Sequence, residues 1–156
     1  MSGRDPSKER LLEVYEYRDG NLYNKINRGT RGKKGARVGY PISGGYFQLQ
    51  LDSKKFLLHR LVYIMHYGSI PEDLVIDHKD GDNQNNRIEN LRVVTLQENS
   101  FNTKAKGYCF HKGNQKWQAK IKVGGVQKFL GYFDNEEDAS QAYQVAKEKY
   151  HIIEER

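Results

Sequence analysis

Residues 77–99 read DHKDGDNQNNRIENLRVVTLQEN, and this stretch decides how the middle of the chain is organised. Val75-Ile76 leads directly into Asp77-His78, after which Asp80-Gly81 and Asp82-Asn83 are strong turn formers. Leu91-Arg92-Val93-Val94 then reads as a second short strand. Thr95-Leu96-Gln97-Glu98 has the capping-box pattern, with Thr95 as N-cap and Glu98 at the third helical position. Asn99 therefore falls in the first turns of a helix, pointing back toward the preceding strands. The predicted order is strand, loop, strand, helix.

The residue types in that order suit phosphodiester hydrolysis. The reaction needs an activated water, neutralised charge on the phosphoryl oxygens and help for the leaving 3′ oxygen. A neutral histidine supplies the first, and one divalent ion supplies the other two. Neighbouring strand residues point to opposite sides, so Asp77 and His78 cannot both face one metal ion. That divides the labour: Asp77 becomes a ligand and His78 is aimed at the water. Asn99 offers a carbonyl oxygen as a second hard ligand, with phosphate and waters completing an octahedron, which points to Mg²⁺ or Mn²⁺. An EF-hand reading from Asp80 fails, because Asn85 stands where glycine is required and Leu91 where the bidentate Glu belongs. Asp80, Asp82, Asn83, Asn85 and Asn86 are read as loop formers.

The rest of the chain bounds this reading. It has 156 residues, 37% hydrophobic and 29% charged, which favours small cores over one large core. A net charge of +6 and a pI near 9.3 favour a polyanionic partner. No apolar run approaches the roughly eighteen residues of a membrane span, and MSGRDPSKER has no signal-peptide core. The expectation is a soluble intracellular protein with no membrane partner, acting in the host cytoplasm if phage-encoded. Cys109 is the single cysteine, which excludes an intrachain disulfide and a cysteine-rich zinc site. Asn21 to Leu51 holds Lys and Arg, and Ser100 to Phe133 holds lysines, with no acidic residue in either; they flank an acidic centre from Glu72 to Glu98. Basic arms around an acidic middle suit a protein that grips phosphates and holds a cation. Lys33, Lys34 and Arg37 in the first arm are candidates for backbone contact on charge alone.

Residues 1–10 read as a disordered tail. VYEY, NLYNK and YFQLQL between Leu11 and Leu58 predict one small antiparallel sheet, and Leu57 to Tyr67 predicts a buried helix ended by Gly68. His59 within it is read as a core histidine, and His66 and His151 are given no role. Arg87 and Arg92 either clamp phosphate or pair with the acidic loop. Lys104 to Lys106 reads as a linker. Beyond it come three strands, at residues 108–111, 116–123 and 127–133, and a helix capped by Asp134 or Asn135 with Ala139, Ala142, Tyr143, Ala146 and Tyr150 on one face.

Two resemblances follow from these residues. His59-Arg60-Leu61-Val62, Asp77-His78-Lys79-Asp80-Gly81, Asn85-Asn86-Arg87, Glu89-Asn90-Leu91-Arg92 and Glu98-Asn99 together resemble the HNH endonucleases of the phage homing type. The resemblance implies a ββα-metal fold, with His78 as general base and Asp77 and Asn99 as metal ligands. Asn90 would be the central Asn that braces the loop and orients the histidine. Asn99 stands where many relatives carry the last His of the motif. Separately, Lys116-Trp117, Ala119-Lys120-Ile121-Lys122, Phe129-Leu130-Gly131-Tyr132-Phe133 and Glu136-Glu137-Asp138-Ala139 with Ala142-Tyr143 resemble the Apetala-type (ethylene-response-factor) DNA-binding domain. That implies a sheet face lying in the DNA major groove. Alternation gives Ala119 and Ile121 to the helix side and Gln118, Lys120 and Lys122 to the DNA side. His111, Gln127 and Phe129 match other groove-facing positions, and Lys112, Lys116 and Lys128 join the basic set. Lysine and glutamine replace the arginines that the family uses on guanine. Trp117 is read at least as readily as a core aromatic as a base contact.

The expected architecture is α+β: a small antiparallel sheet, a ββα-metal core at about 74–103 within a nuclease domain 11–103, and a sheet-plus-helix domain 107–156. The expected function is a metal-dependent endonuclease on double-stranded DNA that leaves 5′-phosphate and 3′-hydroxyl ends. A monomer would nick, and a homodimer would be needed to break both strands. The alternative is a non-catalytic, sequence-specific DNA-binding or regulatory protein that keeps the central motif as scaffold.

Overall fold

A computed structural model describes residues 5–30, 32–102, 106–154 and 156. The chain divides into two compact units, one of residues up to Thr95 and one from Leu96 through Glu154. The sequence predicts the division near residue 103. Residues 103–105, which hold most of the expected linker, lie outside the described residues, as do residues 1–4 of the expected tail.

The first unit opens with helix α1 (Lys8–Val14), so the expectation of disorder through residue 10 is corrected. Ser7 caps this helix by accepting from the Arg10 N–H at 3.2 Å, and Leu11 and Val14, three apart, face inward and are fully buried. Strands β1 (Tyr15–Arg18) and β2 (Asn21–Asn24) form a hairpin across Asp19-Gly20, both with positive φ. Strands β3 (Tyr40–Pro41), β4 (Phe47–Leu51) and β5 (Lys54–Leu57) form a separate antiparallel sheet. The predicted single sheet is thus two sheets, β1 with β2 and β3 with β4 and β5. Helix α2 (Leu58–Tyr67) ends at Gly68, and its Leu58, Leu61, Val62 and Ile64 sit in the core between these layers.

Strands β6 (Leu74–His78) and β7 (Leu91–Thr95) pair antiparallel, with Ile76 opposite Val93, Asp77 opposite Arg92 and His78 opposite Leu91. Ile76, Leu91 and Val93 join the core that includes α2, so His78 lies on that side of the hairpin and Asp77 on the other. This is the division of faces that alternation predicts. The chain then runs into α3 (Leu96–Phe101).

In the second unit, β8 (Tyr108–His111), β9 (Lys116–Val123) and β10 (Val126–Phe133) form an antiparallel sheet with β9 in the middle. Helix α4 (Glu136–Tyr150) is capped by Asn135, whose Oδ1 accepts from the Asp138 N–H at 2.8 Å. Ile121, Tyr143 and Ala146 form its core, with Tyr108, Leu130 and Tyr150 packed around them. Gly107 lies so close to Tyr143 that a Cβ there would stand 2.0 Å from the ring, and its φ is +71°; both demand glycine. Among the described residues no helix is long and apolar enough to cross a membrane.

Candidate functional site

The central loop is built around the Asp80 carboxylate. Its Oδ1 accepts from the Asp82 N–H at 2.8 Å and from Asn90 Nδ2 at 2.9 Å, while its Oδ2 accepts from Asn85 Nδ2 at 2.7 Å. Partial desolvation opposes ionisation of Asp80, but the bonds from Asp82, Asn85 and Asn90 outweigh it and hold the carboxyl below its usual range. Asn90 is the staple between the two ends of the loop. Its Oδ1 accepts from the Asp80 N–H at 3.1 Å, its Nδ2 donates to the Asn85 carbonyl at 2.8 Å, and its own carbonyl accepts from the Lys79 N–H at 2.8 Å. Gly81, with φ +69°, allows the turn that returns its N–H to the His78 carbonyl at 2.9 Å.

Asp77 and His78 are both buried at the end of β6. Asp77 Oδ2 receives two donors from Arg92, Nη2 at 2.7 Å and Nε at 2.9 Å. Arg92, open between two roles on sequence, is here the partner of the acidic strand end. The His78 ring packs edge-on to His59 at 5.1 Å between centroids and 80° between planes, with the Tyr46 ring at 6.2 Å. His59 is itself buried; burial first, and then the neighbouring His78 and Arg60, push its pKa down to about 3. It is a neutral imidazole set against the candidate base.

His78 Nε2 meets Asn86 Oδ1 at 2.9 Å. The resemblance assigns the orienting of the imidazole to Asn90; the structure puts Asn90 on the loop and Asn86 on the ring. Asn86 is a functional candidate that sequence reasoning treats as a turn former, and tandem asparagines give no signal that separates it from Asn85. His59 and Tyr46 are likewise missed, because their relation to His78 is made only by the packing of α2 and the β4 edge. Asn99 lies half-buried on α3, in the second unit.

The donor chemistry fits a hard divalent ion. On the first unit Asp77 carries a buried carboxylate, and on the second Asn99 carries an amide oxygen; each by itself is a hard donor type, not a soft one. Among the described residues no group of three or more His, Cys, Asp and Glu is placed to hold a metal, so the coordination would have to be completed by phosphate and water.

On the second unit, register sorts the candidate DNA-binding residues. Cys109 opposes Gln118, His111 opposes Lys116, Tyr132 opposes Gln118, Phe129 opposes Lys120 and Gln127 opposes Lys122. Ala119 and Ile121 point to the helix, so these pairs share the outer face. His111 and Phe129 each pack edge-to-face on Tyr132, at 5.6 and 5.0 Å. Gln118 is on that face but covered, its Nε2 donating to the Tyr132 hydroxyl at 3.0 Å. Lys116 pairs with Asp134 at 3.0 Å, and Lys112 is exposed in the turn after β8. Lys128 does not belong with them. It opposes Ile121, points to the helix side, and lays its ammonium 4.5 Å from the centroid of Tyr150. Trp117 is also on the helix side, half-buried against Phe110 at 5.6 Å, which makes it a packing residue. In the first unit Lys33, Lys34 and Arg37 are all exposed, and the Arg37 guanidinium lies 5.4 Å from the centroid of Phe47.

Residues 56–101 match the family model of the HNH endonucleases. The chain is 33% identical over 119 residues to an uncharacterised HNH endonuclease of Acanthamoeba polyphaga mimivirus, covering 72% of this chain and 59% of that protein. It is 42% identical over 67 residues to the DNA endonuclease I-HmuI of Bacillus phage SP01, covering 40% of this chain and 38% of that one. A solved structure of the HNH homing endonuclease I-HmuI, described as showing DNA binding and cleavage, is similar at a TM-score of 0.45 and 26% identity over 87% of this chain and 80% of that one. By sequence alignment the chain thus spans less than two thirds of the length of these curated relatives.

Proposed function

We propose that this chain is a metal-dependent DNA endonuclease of the HNH homing type. The observation that carries the reading is the joint burial of Asp77 and His78 at the end of β6, on opposite faces, within the segment that matches the HNH family. His78 takes the proton of the attacking water. Asp77 and Asn99 would hold Mg²⁺ or Mn²⁺, whose charge neutralises the scissile phosphate and the leaving 3′ oxygen when bound. Asn90 keeps the loop closed, so that His78 is presented on a fixed frame. Arg92 fixes the rotamer of Asp77 by gripping one oxygen of its carboxylate. The products carry 5′-phosphate and 3′-hydroxyl ends.

The second unit is the docking module for double-stranded DNA, of the Apetala-like type. Lys120 and Lys122 on the outer sheet face, with Lys112, Lys116 and His111 at its rim, supply phosphate contacts, and Gln127 lies among them. Lys33, Lys34 and Arg37 add a second contact region on the first unit. One site of this kind attacks one strand, so a single chain nicks and a homodimer cuts both. Supercoiled plasmid incubated with protein and Mg²⁺ tests the reading: relaxation to the nicked form is expected, and plasmid that stays supercoiled with either Mg²⁺ or Mn²⁺ overturns it.

A further inference from the structure

Asn86 is among the most buried polar residues of the first unit, at 2% exposure, and its two amide atoms have different partners. Oδ1 lies 2.9 Å from His78 Nε2, and Nδ2 donates to the Gln84 carbonyl at 3.4 Å. The second contact, although long, orients the amide. Rotating the amide by half a turn would set oxygen against the Gln84 carbonyl oxygen and discard that bond. With Oδ1 toward the ring, the 2.9 Å contact is a hydrogen bond when Nε2 carries the hydrogen. A neutral imidazole then has its lone pair on Nδ1.

The backbone that presents Asn86 is also held. A Cβ on Gly20 would stand 3.0 Å from the Asn86 carbonyl carbon and 2.8 Å from the Arg87 nitrogen, so the β1–β2 turn is pressed against this arm of the loop. The Tyr17 hydroxyl, from the same hairpin, accepts from the Ile88 N–H at 3.0 Å. On the imidazole, His59 packs edge-on at 5.1 Å. Asn90 meanwhile uses its amide on Asp80 and Asn85.

We propose that Asn86 is the positioning residue of His78: it selects the Nε2–H tautomer and so makes Nδ1 the proton-accepting nitrogen. The inference rests on the reading of His78 as general base. It assigns a task to an asparagine that is otherwise one of several in a turn-rich loop. It also makes the β1–β2 hairpin part of the machinery that aims the base.

Nitrogen-15 correlation spectroscopy of the five histidine side chains, at pH about 8 where an ordinary imidazole is neutral, reads the tautomer directly. The expected result is a protonated Nε2 and an unprotonated Nδ1 for His78. Asn86→Ala should lose that fixed tautomer and lower kcat on plasmid DNA by about 10- to 100-fold, the usual effect of losing a partner that orients an active group, with KM within about twofold. Asn86→Asp keeps the acceptor oxygen and should restore the Nε2–H tautomer. A His78 carrying its hydrogen on Nδ1 in a protein that cleaves, or an Asn86→Ala variant with unchanged kcat, overturns the role of Asn86 alone. Should Asn86→Ala fail to fold, the wild-type spectrum decides. A wild-type protein that never cleaves DNA overturns the nuclease reading instead, and the catalytic meaning of the contact with it.

Discussion

Arg92 and Asp77 are directly opposite each other across β7 and β6, and two nitrogens of the guanidinium, at 2.7 and 2.9 Å, converge on one carboxylate oxygen. The register makes the pair: a one-residue slip of either strand would turn one partner to the other face. The carboxylate is 7% exposed and the arginine 23%, so water screens the pair only weakly.

Arg92→Ala should therefore cost stability. Removing the cationic partner of a buried carboxylate typically costs about 3 kcal/mol or more, whereas replacing both charges is far milder. Asp77→Asn combined with Arg92→Leu should recover most of the loss, although it removes the proposed ligand. Urea unfolding checks both. An Arg92→Ala protein that unfolds at the wild-type midpoint would show that the pair contributes nothing.

His59 makes the first unit sensitive to acid. In the unfolded chain it titrates at its ordinary 6.5, while in the fold its pKa is about 3. Above pH 6.5 both states are neutral and the full stability is present. As pH falls below 6.5 the unfolded state takes up a proton that the folded state refuses, so stability drops, by about 2 kcal/mol at pH 5. A His59→Gln variant should lack this component. Denaturation at pH 8 and pH 5 separates the two; equal losses in both proteins would assign the acid sensitivity elsewhere.

The elements with strong patterning were legible in the sequence. Val75-Ile76 and Val93-Val94 announce β6 and β7, Gly68 stops α2, and the alternation Ala119, Ile121 against Lys120, Lys122 orients β9 correctly. What was not legible depends on partners distant in sequence. Ser7 and Leu11 make a short α1 where a charged terminus suggests disorder, because Leu11 and Val14 find the core around α2. Asn86 and Asn85 are identical as letters, and only the fold puts one on His78 and the other on Asp80. Charge alone groups Lys128 with the basic arm, whereas period-two alternation from Gln127 assigns it to the other face.

His78→Ala should abolish plasmid nicking and leave DNA binding close to wild type, since it removes the base and none of the lysines on the sheet. Loss of a general base costs about 10² to 10⁴ in rate. Nicking assays beside gel-shift titrations measure the two effects. Undiminished nicking would remove this motif from the chemistry.

Cleavage should stop with EDTA and return with Mg²⁺ or Mn²⁺, because the proposed donors of Asp77 and Asn99 are hard oxygens. Asp77→Ala should abolish that recovery. Cutting that persists after exhaustive chelation would point to another reaction.

The two faces of the C-terminal sheet allow a sharper test of docking. Lys120 and Lys122 lie on the outer face, while Lys128 points to the helix and rests on Tyr150. Binding to phosphates releases counterions, so each lost contact should reduce the log–log salt slope by about 0.9. Lys120→Ala with Lys122→Ala should make the slope shallower by about 1.8 and weaken binding at low salt. Lys128→Ala should leave the slope unchanged and cost only about 0.5 to 1 kcal/mol of stability through its lost ring contact. Fluorescence anisotropy against duplex DNA over a salt series distinguishes them. Equal slopes for the double variant and wild type would mean that the outer face does not touch the backbone; a Lys128 effect as large as the double variant's would mean that charge alone, without regard to face, governs binding.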